Sequence, residues 1–227
     1  MNSVYRSEIK YEIDENVFNL LNYNLNTFLR KDEYCDDYYT ISSIYFDNFN
    51  KESYKQVTNG ISRRWKYRIR YYNHNDKCIK LEKKFKLNGY TKKDSINITK
   101  KELDGILNNK LKVNKKNQPL LNEVILKMQT ELLRPIIYIE YERIPYVYKL
   151  GNVRITLDYN IRYSKRFDDL FDKNKNFYYI NNRILEVKYS EFIPEFILER
   201  INVTRLNQTS FSKFKTCIDD YDRRYLL

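Results

Sequence analysis

Ser62-Arg-Arg-Trp-Lys-Tyr-Arg-Ile-Arg-Tyr-Tyr72 is the stretch that decides the fold. Arg64, Lys66, Arg68 and Arg70 fall at every second position, with Trp65, Tyr67, Ile69 and Tyr71 between them. Successive side chains of a β-strand point to opposite faces, so this is a strand with one cationic and one aromatic-aliphatic face. The same pattern recurs outward along the chain. Lys80, Glu82, Lys84 and Lys86 oppose Ile79, Leu81, Phe85 and Leu87; Arg6, Glu8, Lys10 and Glu12 oppose Tyr5, Ile9, Tyr11 and Ile13. Arg154, Thr156 and Asp158 oppose Val153, Ile155 and Leu157, and Glu186 and Lys188 oppose Leu185 and Val187.

Period-two alternation predicts eight strands, near residues 4–13, 39–47, 62–72, 77–88, 90–98, 136–148, 152–163 and 183–190. Asn88-Gly89 and Gly151-Asn152 are tight-turn signals and predict antiparallel hairpins over 77–98 and 136–163. Asp14 is placed to cap a helix over 15–30 with a stripe of Val17, Leu21, Leu25 and Phe28. Thr99 and Glu102 form a capping box for a short helix to about Asn109, and Pro119 opens a third helix that ends before Arg134-Pro135. A last helix is expected from Ser212 to Tyr221, and the Lys/Asn-rich stretches 111–118 and 168–182 read as loops. No repeat or linker divides the chain, so one domain over 1–227 is expected, α+β and mainly β.

Composition closes off several classes of function. Lys and Arg number 42 against 30 Asp and Glu, a net charge of +12 over 227 residues, which calls for an anionic partner. One histidine, His74 in a turn-like stretch, leaves no imidazole pair for a metal and argues against histidine catalysis. Four glycines are too few and too scattered for a Walker A loop or a dinucleotide fingerprint, so side chains must bind any phosphate. Cys35, Cys78 and Cys217 are far apart and form no CxxC, which points to free thiols in a reducing compartment. No apolar run approaches the roughly 20 residues of a membrane span, and the polar N-terminus lacks a signal-peptide core. A cytoplasmic protein is expected.

Two readings of the charged faces compete. In one they are simply solvated, as on many antiparallel sheets. In the other they line the inside of a closed barrel whose apolar outside is covered by the helices. Such an interior repels itself when empty and makes sense only around a polyanion. Glu8, Glu82, Glu140, Glu142, Asp158 and Glu186 lie among these cations and aromatics. Carboxylates of this kind either pair with a neighbouring Lys or Arg or hold a divalent cation that bridges to phosphate.

Eight segments in order resemble the landmarks of the VTC domain, the catalytic module of polyphosphate polymerases, within the CYTH-like triphosphate tunnel metalloenzyme group. They are Arg6-Ser-Glu-Ile-Lys-Tyr11, Ile44-Tyr-Phe-Asp47, Lys66-Tyr-Arg-Ile-Arg70, Leu81-Glu-Lys-Lys84, Tyr141-Glu-Arg143, Val153-Arg-Ile-Thr-Leu-Asp158, Leu185-Glu-Val-Lys188 and Phe211-Ser-Lys-Phe214. The resemblance implies an eight-stranded antiparallel β-barrel tunnel with helices packed outside. It further implies ATP and inorganic polyphosphate as partners and Mn²⁺ or Mg²⁺ as cofactor. Carried over by position, Arg68, Arg70 and Lys84 serve catalysis and phosphate binding, joined by Lys10, Arg143, Arg154, Lys188, Ser212 and Lys213. Glu186 is the metal ligand and a catalytic residue. The roles of Glu8, Glu82, Glu140 and Glu142 stay open.

Two departures qualify the resemblance. Arg6 stands where the wider group has the first acid of its ExExK signature, which favours the VTC branch over the triphosphatases and cyclases. Arg143 is out of phase with Glu140 and Glu142, so either it or they face the charged side unless a bulge near Pro145 resets the register. The expected function is a metal-dependent polyphosphate polymerase. The alternatives are a tunnel triphosphatase and a non-catalytic polyanion-binding module. Nucleic acid is disfavoured, because the aromatics mostly alternate away from the cations whereas a stacking platform needs both on one surface.

Overall fold

The protein is described by a computed structural model covering residues 7–33, 35, 37–87, 90–202 and 206–225, so Arg6 and the Asn88-Gly89 turn lie outside the described residues. In chain order the elements begin with β1 (Ser7–Ile13), α1 (Glu15–Phe28), β2 (Arg30–Lys31), β3 (Tyr39–Asp47) and α2 (Glu52–Thr58). Next come β4 (Arg64–Tyr72), β5 (Asn75–Leu87), β6 (Tyr90–Ile98), α3 (Lys100–Leu107), α4 (Pro119–Thr130) and β7 (Arg134–Tyr148). β8 (Val153–Ser164), β9 (Tyr178–Tyr179), β10 (Arg183–Tyr189), α5 (Glu195–Ile201) and α6 (Lys213–Tyr225) complete the chain. The fold is α+β and mainly β, and all eight expected strands are present. The chain forms two compact units, the first from residues 1–40, 141–161 and 179–211 and the second from 41–140, 162–178 and 212–227.

In the first unit the strand order is β1-β10-β8-β7. Lys10 lies opposite Glu186, which lies opposite Thr156; Glu8 lies opposite Lys188, which lies opposite Arg154. The charged positions of three strands therefore share one face. The other face carries Val153, Ile155, Leu157, Leu185 and Val187, and α1 packs on it through Phe18, Leu21 and Leu25. Asp14 caps α1 as expected, its Oδ1 accepting the Val17 N–H at 2.8 Å. Gly151 turns β7 into β8 with a φ of 71°, and a Cβ there would sit 2.3 Å from the Phe192 carbonyl oxygen. That close approach, together with the positive φ, is why the turn needs glycine.

In the second unit the order is β7-β3-β4-β5-β6. β4 and β5 are joined by a two-residue turn, Asn73-His74, with φ of 50° and 55°. Positive φ at both central positions is the geometry that matches the right-handed twist of a hairpin. Ile44, Tyr67, Ile69, Tyr71, Ile79 and Leu81 form the apolar face, covered by α3 and α4 through Leu103, Ile106, Leu121, Val124, Ile125 and Met128. Burying such side chains supplies about 1.5–3 kcal/mol each. The Thr99/Glu102 capping box and Pro119 in the first turn of α4 both occur.

Sequence periodicity missed α2 and α5, each only seven residues long. α2 depends on a side chain from the preceding strand: Asp47 accepts the N–H groups of Ser53 at 2.8 Å and Tyr54 at 3.0 Å. The first part of the expected loop over 168–182 is anchored, because Leu170, Phe171 and Phe177 pack into the core of the second unit.

Candidate phosphate-binding face and carboxylate network

The cationic positions of the second unit sit side by side because strand register aligns them. Arg64 pairs with Lys86, Lys66 with Lys84, Arg68 with Glu82 and Arg70 with Lys80, while Lys84 in turn pairs with Lys93 on β6. β3 contributes Ser43 opposite Arg70 and Tyr45 opposite Arg68. The face thus gathers Arg64, Lys66, Arg68, Arg70, Lys80, Lys84, Lys86 and Lys93 around a single acid, Glu82. Its centre is not solvated, since Glu82 is 0 % and Arg70 8 % exposed, while Lys93 at its edge is half exposed.

Glu82 acts as the internal counterion. Its Oε2 accepts from Arg68 Nε at 2.7 Å and its Oε1 from Lys93 Nζ at 3.0 Å. Burial by itself pushes its pKa up, but Arg68, Arg70 and Lys93 outweigh this and hold the carboxyl down at about 2. Arg70 Nε donates to Ser43 Oγ at 3.2 Å, and Arg68 Nη1 donates to the Tyr45 hydroxyl at 3.3 Å. Burial raises the Tyr45 phenol, yet Arg68, Arg70 and Lys213 leave it below the ordinary tyrosine range.

The start of α6 joins this face. Lys66 Nζ donates to Ser212 Oγ at 3.1 Å and lies 4.9 Å over the Phe214 ring, which packs at 5.3 Å on Tyr45. Ser212 thereby meets Lys66, and Lys213 acts on the Tyr45 phenol together with Arg68 and Arg70. Lys66, Lys93, Ser43 and Tyr45 were not singled out as site residues. The β4 and β5 alternation already marked Lys66, whereas Lys93, Ser43 and Tyr45 became visible only through register.

The charged face of the first unit is organised differently. Arg143 holds Asp158 through two hydrogen bonds, Nε to Oδ1 at 2.6 Å and Nη2 to Oδ2 at 2.7 Å, with Nη2 3.8 Å from Glu186. Lys10 Nζ lies 2.9 Å from Glu8 and 3.5 Å from Glu186, and Lys188 donates to Glu186 as well. Burial opposes the charge on Lys10, but Glu186 and Glu8 more than compensate and raise its pKa above the usual lysine range. Arg154 pairs with Asp32 at 2.8 Å and donates to the Tyr39 hydroxyl at 3.1 Å.

On β7, Arg143 and the two acids part company. Arg143 faces Asp158 and Glu186. Glu140 and Glu142 occupy the alternate positions and point the other way. Glu140 is fully buried beneath the aromatic side of the second unit, accepting from Ser42 at 2.8 Å, Tyr138 at 2.7 Å and Arg162 at 2.6 and 3.0 Å. His74 Nε2 lies 2.9 Å from the same carboxylate, so the single histidine is part of a buried polar network. Glu142 accepts from Asn160 at 2.9 Å.

A divalent cation can be weighed against these donors. Among the described residues no three His, Cys, Asp or Glu side chains gather as a metal cluster. Mg²⁺-like ions need fewer, because they bind through one or two carboxylates together with substrate phosphates and water. Glu8 and Glu186 are close enough to share one ammonium group. Thr156, opposite Glu186 on the same face and 2 % exposed, has a hydroxyl without a hydrogen-bond partner. An orphaned buried oxygen opposite a carboxylate suits a hard cation carrying phosphate.

Among the described residues no helix is long and apolar enough to cross a membrane. No curated protein sequence matches the chain. Similar solved structures include a proposed adenylate cyclase from Bacillus halodurans, with 15 % identity, a TM-score of 0.54 and coverage of 98 % of this chain and 99 % of that one. A proposed adenylate cyclase from Vibrio parahaemolyticus has 12 % identity and a TM-score of 0.51 over 96 % of this chain and 99 % of that one. A protein from Pyrococcus horikoshii OT3 gives 12 % and 0.51 over 95 % and 99 %. At these identities the likeness establishes a shared fold. The family model of the VTC domain matches residues 5–220. With that match over nearly its whole length, the chain belongs to the VTC domain family.

Proposed function

We propose that the protein is a metal-dependent polyphosphate polymerase, transferring the terminal phosphoryl group of ATP to a growing polyphosphate chain in a reducing, cytoplasmic compartment. The observation that carries this reading is the concentration of eight cations around one buried acid on β4, β5 and β6. Cations gathered on adjacent strands in this way present closely spaced partners for the oxygens of a repeating anion. Phosphoryl transfer needs mainly positioning and neutralisation of the phosphate oxygens. Arg68 and Arg70 offer planar guanidinium groups for such oxygens, and Lys66, Lys84 and Lys213 add point charges, with Ser212 as a hydroxyl partner. No general base is required when the acceptor is an ionised phosphate oxygen.

In the first unit, Lys10, Arg154 and Lys188 are the proposed phosphate contacts. Arg143 is assigned there with them, and its contacts to Asp158 give it a positioning part as well. Glu186 and Glu8, with Thr156 beside them, would hold Mn²⁺ or Mg²⁺. A cation bound there neutralises phosphate charge and orients the triphosphate.

Incubation of purified protein with ATP and Mn²⁺, followed by gel analysis, tests the reading. Polyphosphate should accumulate as ADP is released in parallel. Conversion of ATP only to ADP and free phosphate, even with short polyphosphate as primer, would replace the polymerase with a triphosphatase. Polyphosphate binding with no turnover at all would leave a binding module. Glu186→Ala should cut turnover while nucleotide binding persists.

A further inference from the structure

The carboxylates of the first unit are already occupied by the protein's own cations. Lys10 Nζ lies between Glu8, at 2.9 Å, and Glu186, at 3.5 Å, and is also 3.5 Å from the Phe211 carbonyl oxygen. The Glu186 side chain is 6 % exposed. A metal ion approaching these two carboxylates meets an ammonium group where it would bind. Opposite Glu186 the Thr156 hydroxyl is buried and unclaimed, although serine and threonine hydroxyls in such positions ordinarily find a partner.

We infer that Lys10 is a tethered ammonium that holds the place of the divalent cation, so that metal and triphosphate bind this face cooperatively. The inference rests on the metal-dependent reading above and adds an order of events to it. Metal alone must displace Lys10 and leave a half-buried ammonium group without its anions, which is costly. Triphosphate alone can draw Lys10 to itself only by leaving Glu8 and Glu186 without that ammonium group. When both arrive, the cation takes the carboxylate oxygens, Lys10 turns to phosphate oxygens, and every charge is paired. Thr156 then gains the partner it lacks. Coupling of this kind is reciprocal: whatever factor triphosphate adds to metal affinity, metal adds to triphosphate affinity.

Mn²⁺ binding followed by electron paramagnetic resonance and calorimetry, with and without the imido analogue of ATP, tests this without turnover. In the unaltered protein Mn²⁺ should bind weakly alone and roughly tenfold or more tightly with the analogue, after correction for Mn²⁺ bound by free analogue. Lys10→Met and Lys10→Gln should each bind Mn²⁺ alone about tenfold more tightly than the unaltered protein and should lose most of the coupling. Adding Glu186→Gln to either should remove the gain. If both Lys10 variants, folded by circular dichroism, bind Mn²⁺ alone no better than the unaltered protein, while that protein binds Mn²⁺ with the analogue, the place-holding role is wrong and the metal-dependent reading survives. If no form binds Mn²⁺ under either condition, both fall together.

Discussion

The two charged sheet faces arise from the same alternation and end in opposite electrostatic states. On β4, β5 and β6, eight Lys and Arg side chains surround Glu82 alone. In the first unit, Lys10, Arg143, Arg154 and Lys188 meet Glu8, Asp158, Glu186 and Asp32, each cation contacting at least one carboxylate. A balanced set closes on itself and contributes to the fold. A set in which cations outnumber the acid keeps a net positive field that attracts an incoming anion. Where the acids fall on otherwise similar strands thus separates a face paired within itself from one in which cations outnumber the acid.

Asp158→Ala should break the comparison most sharply, because it strands Arg143 buried without its bidentate partner. A loss of about 3–5 kcal/mol is expected in urea denaturation. Arg70→Ala and Lys84→Ala act on the unbalanced face and should leave the fold intact. Each should lower polyphosphate synthesis by roughly 10²–10³-fold, as removal of one preorganised charge-stabilising group does elsewhere. A matching collapse of stability in either variant would show that this face is structural too.

Glu82 sharpens the contrast through pH. Its folded pKa, about 2, lies below the ordinary glutamate value of 4.5, so the stability it contributes is complete above 4.5 and is lost as pH falls toward 2. The contribution is of order 2–3 kcal/mol. Glu82→Gln should therefore flatten the acid limb of stability between those pH values, measured by thermal melting. An unchanged acid limb would remove Glu82 as the counterion of Arg68. The smallest effect concerns self-repulsion. Lys80→Gln, opposite Arg70, should raise stability by about 0.2–0.5 kcal/mol at low salt and by less at high salt. A fall in stability would mean that the cationic face is compensated by contacts the charge pattern does not convey.

Much of this was readable from local pattern. Alternation in Ser62–Tyr72 placed Lys66, Arg68 and Arg70 on one face, and Asp14, Thr99 and Pro119 marked three helix starts where they occur. α2 was not readable, because its N-terminal N–H groups are satisfied by Asp47 from the preceding strand and seven residues carry too little periodicity. Leu170, Phe171 and Phe177 were hidden in a stretch whose Asp, Lys and Asn content signals a loop.

The sequence by itself determined which side chains share a face on β1, β4, β5 and β10, since side-chain alternation is a property of the extended backbone and needs no partner. Only the tertiary structure decided which charges meet. Glu82 faces Arg68 across a short hairpin, but Lys10 meets Glu186 because β1 pairs with β10, more than 170 residues later in the chain. Arg143 and Glu140 are three residues apart, yet one reaches Asp158 and the other His74 and Arg162. Pairing depends on register between strands distant in sequence, and register is set by which apolar faces can be buried together. Thr156 follows from the same cause: it comes opposite Glu186 only because β8 pairs with β10.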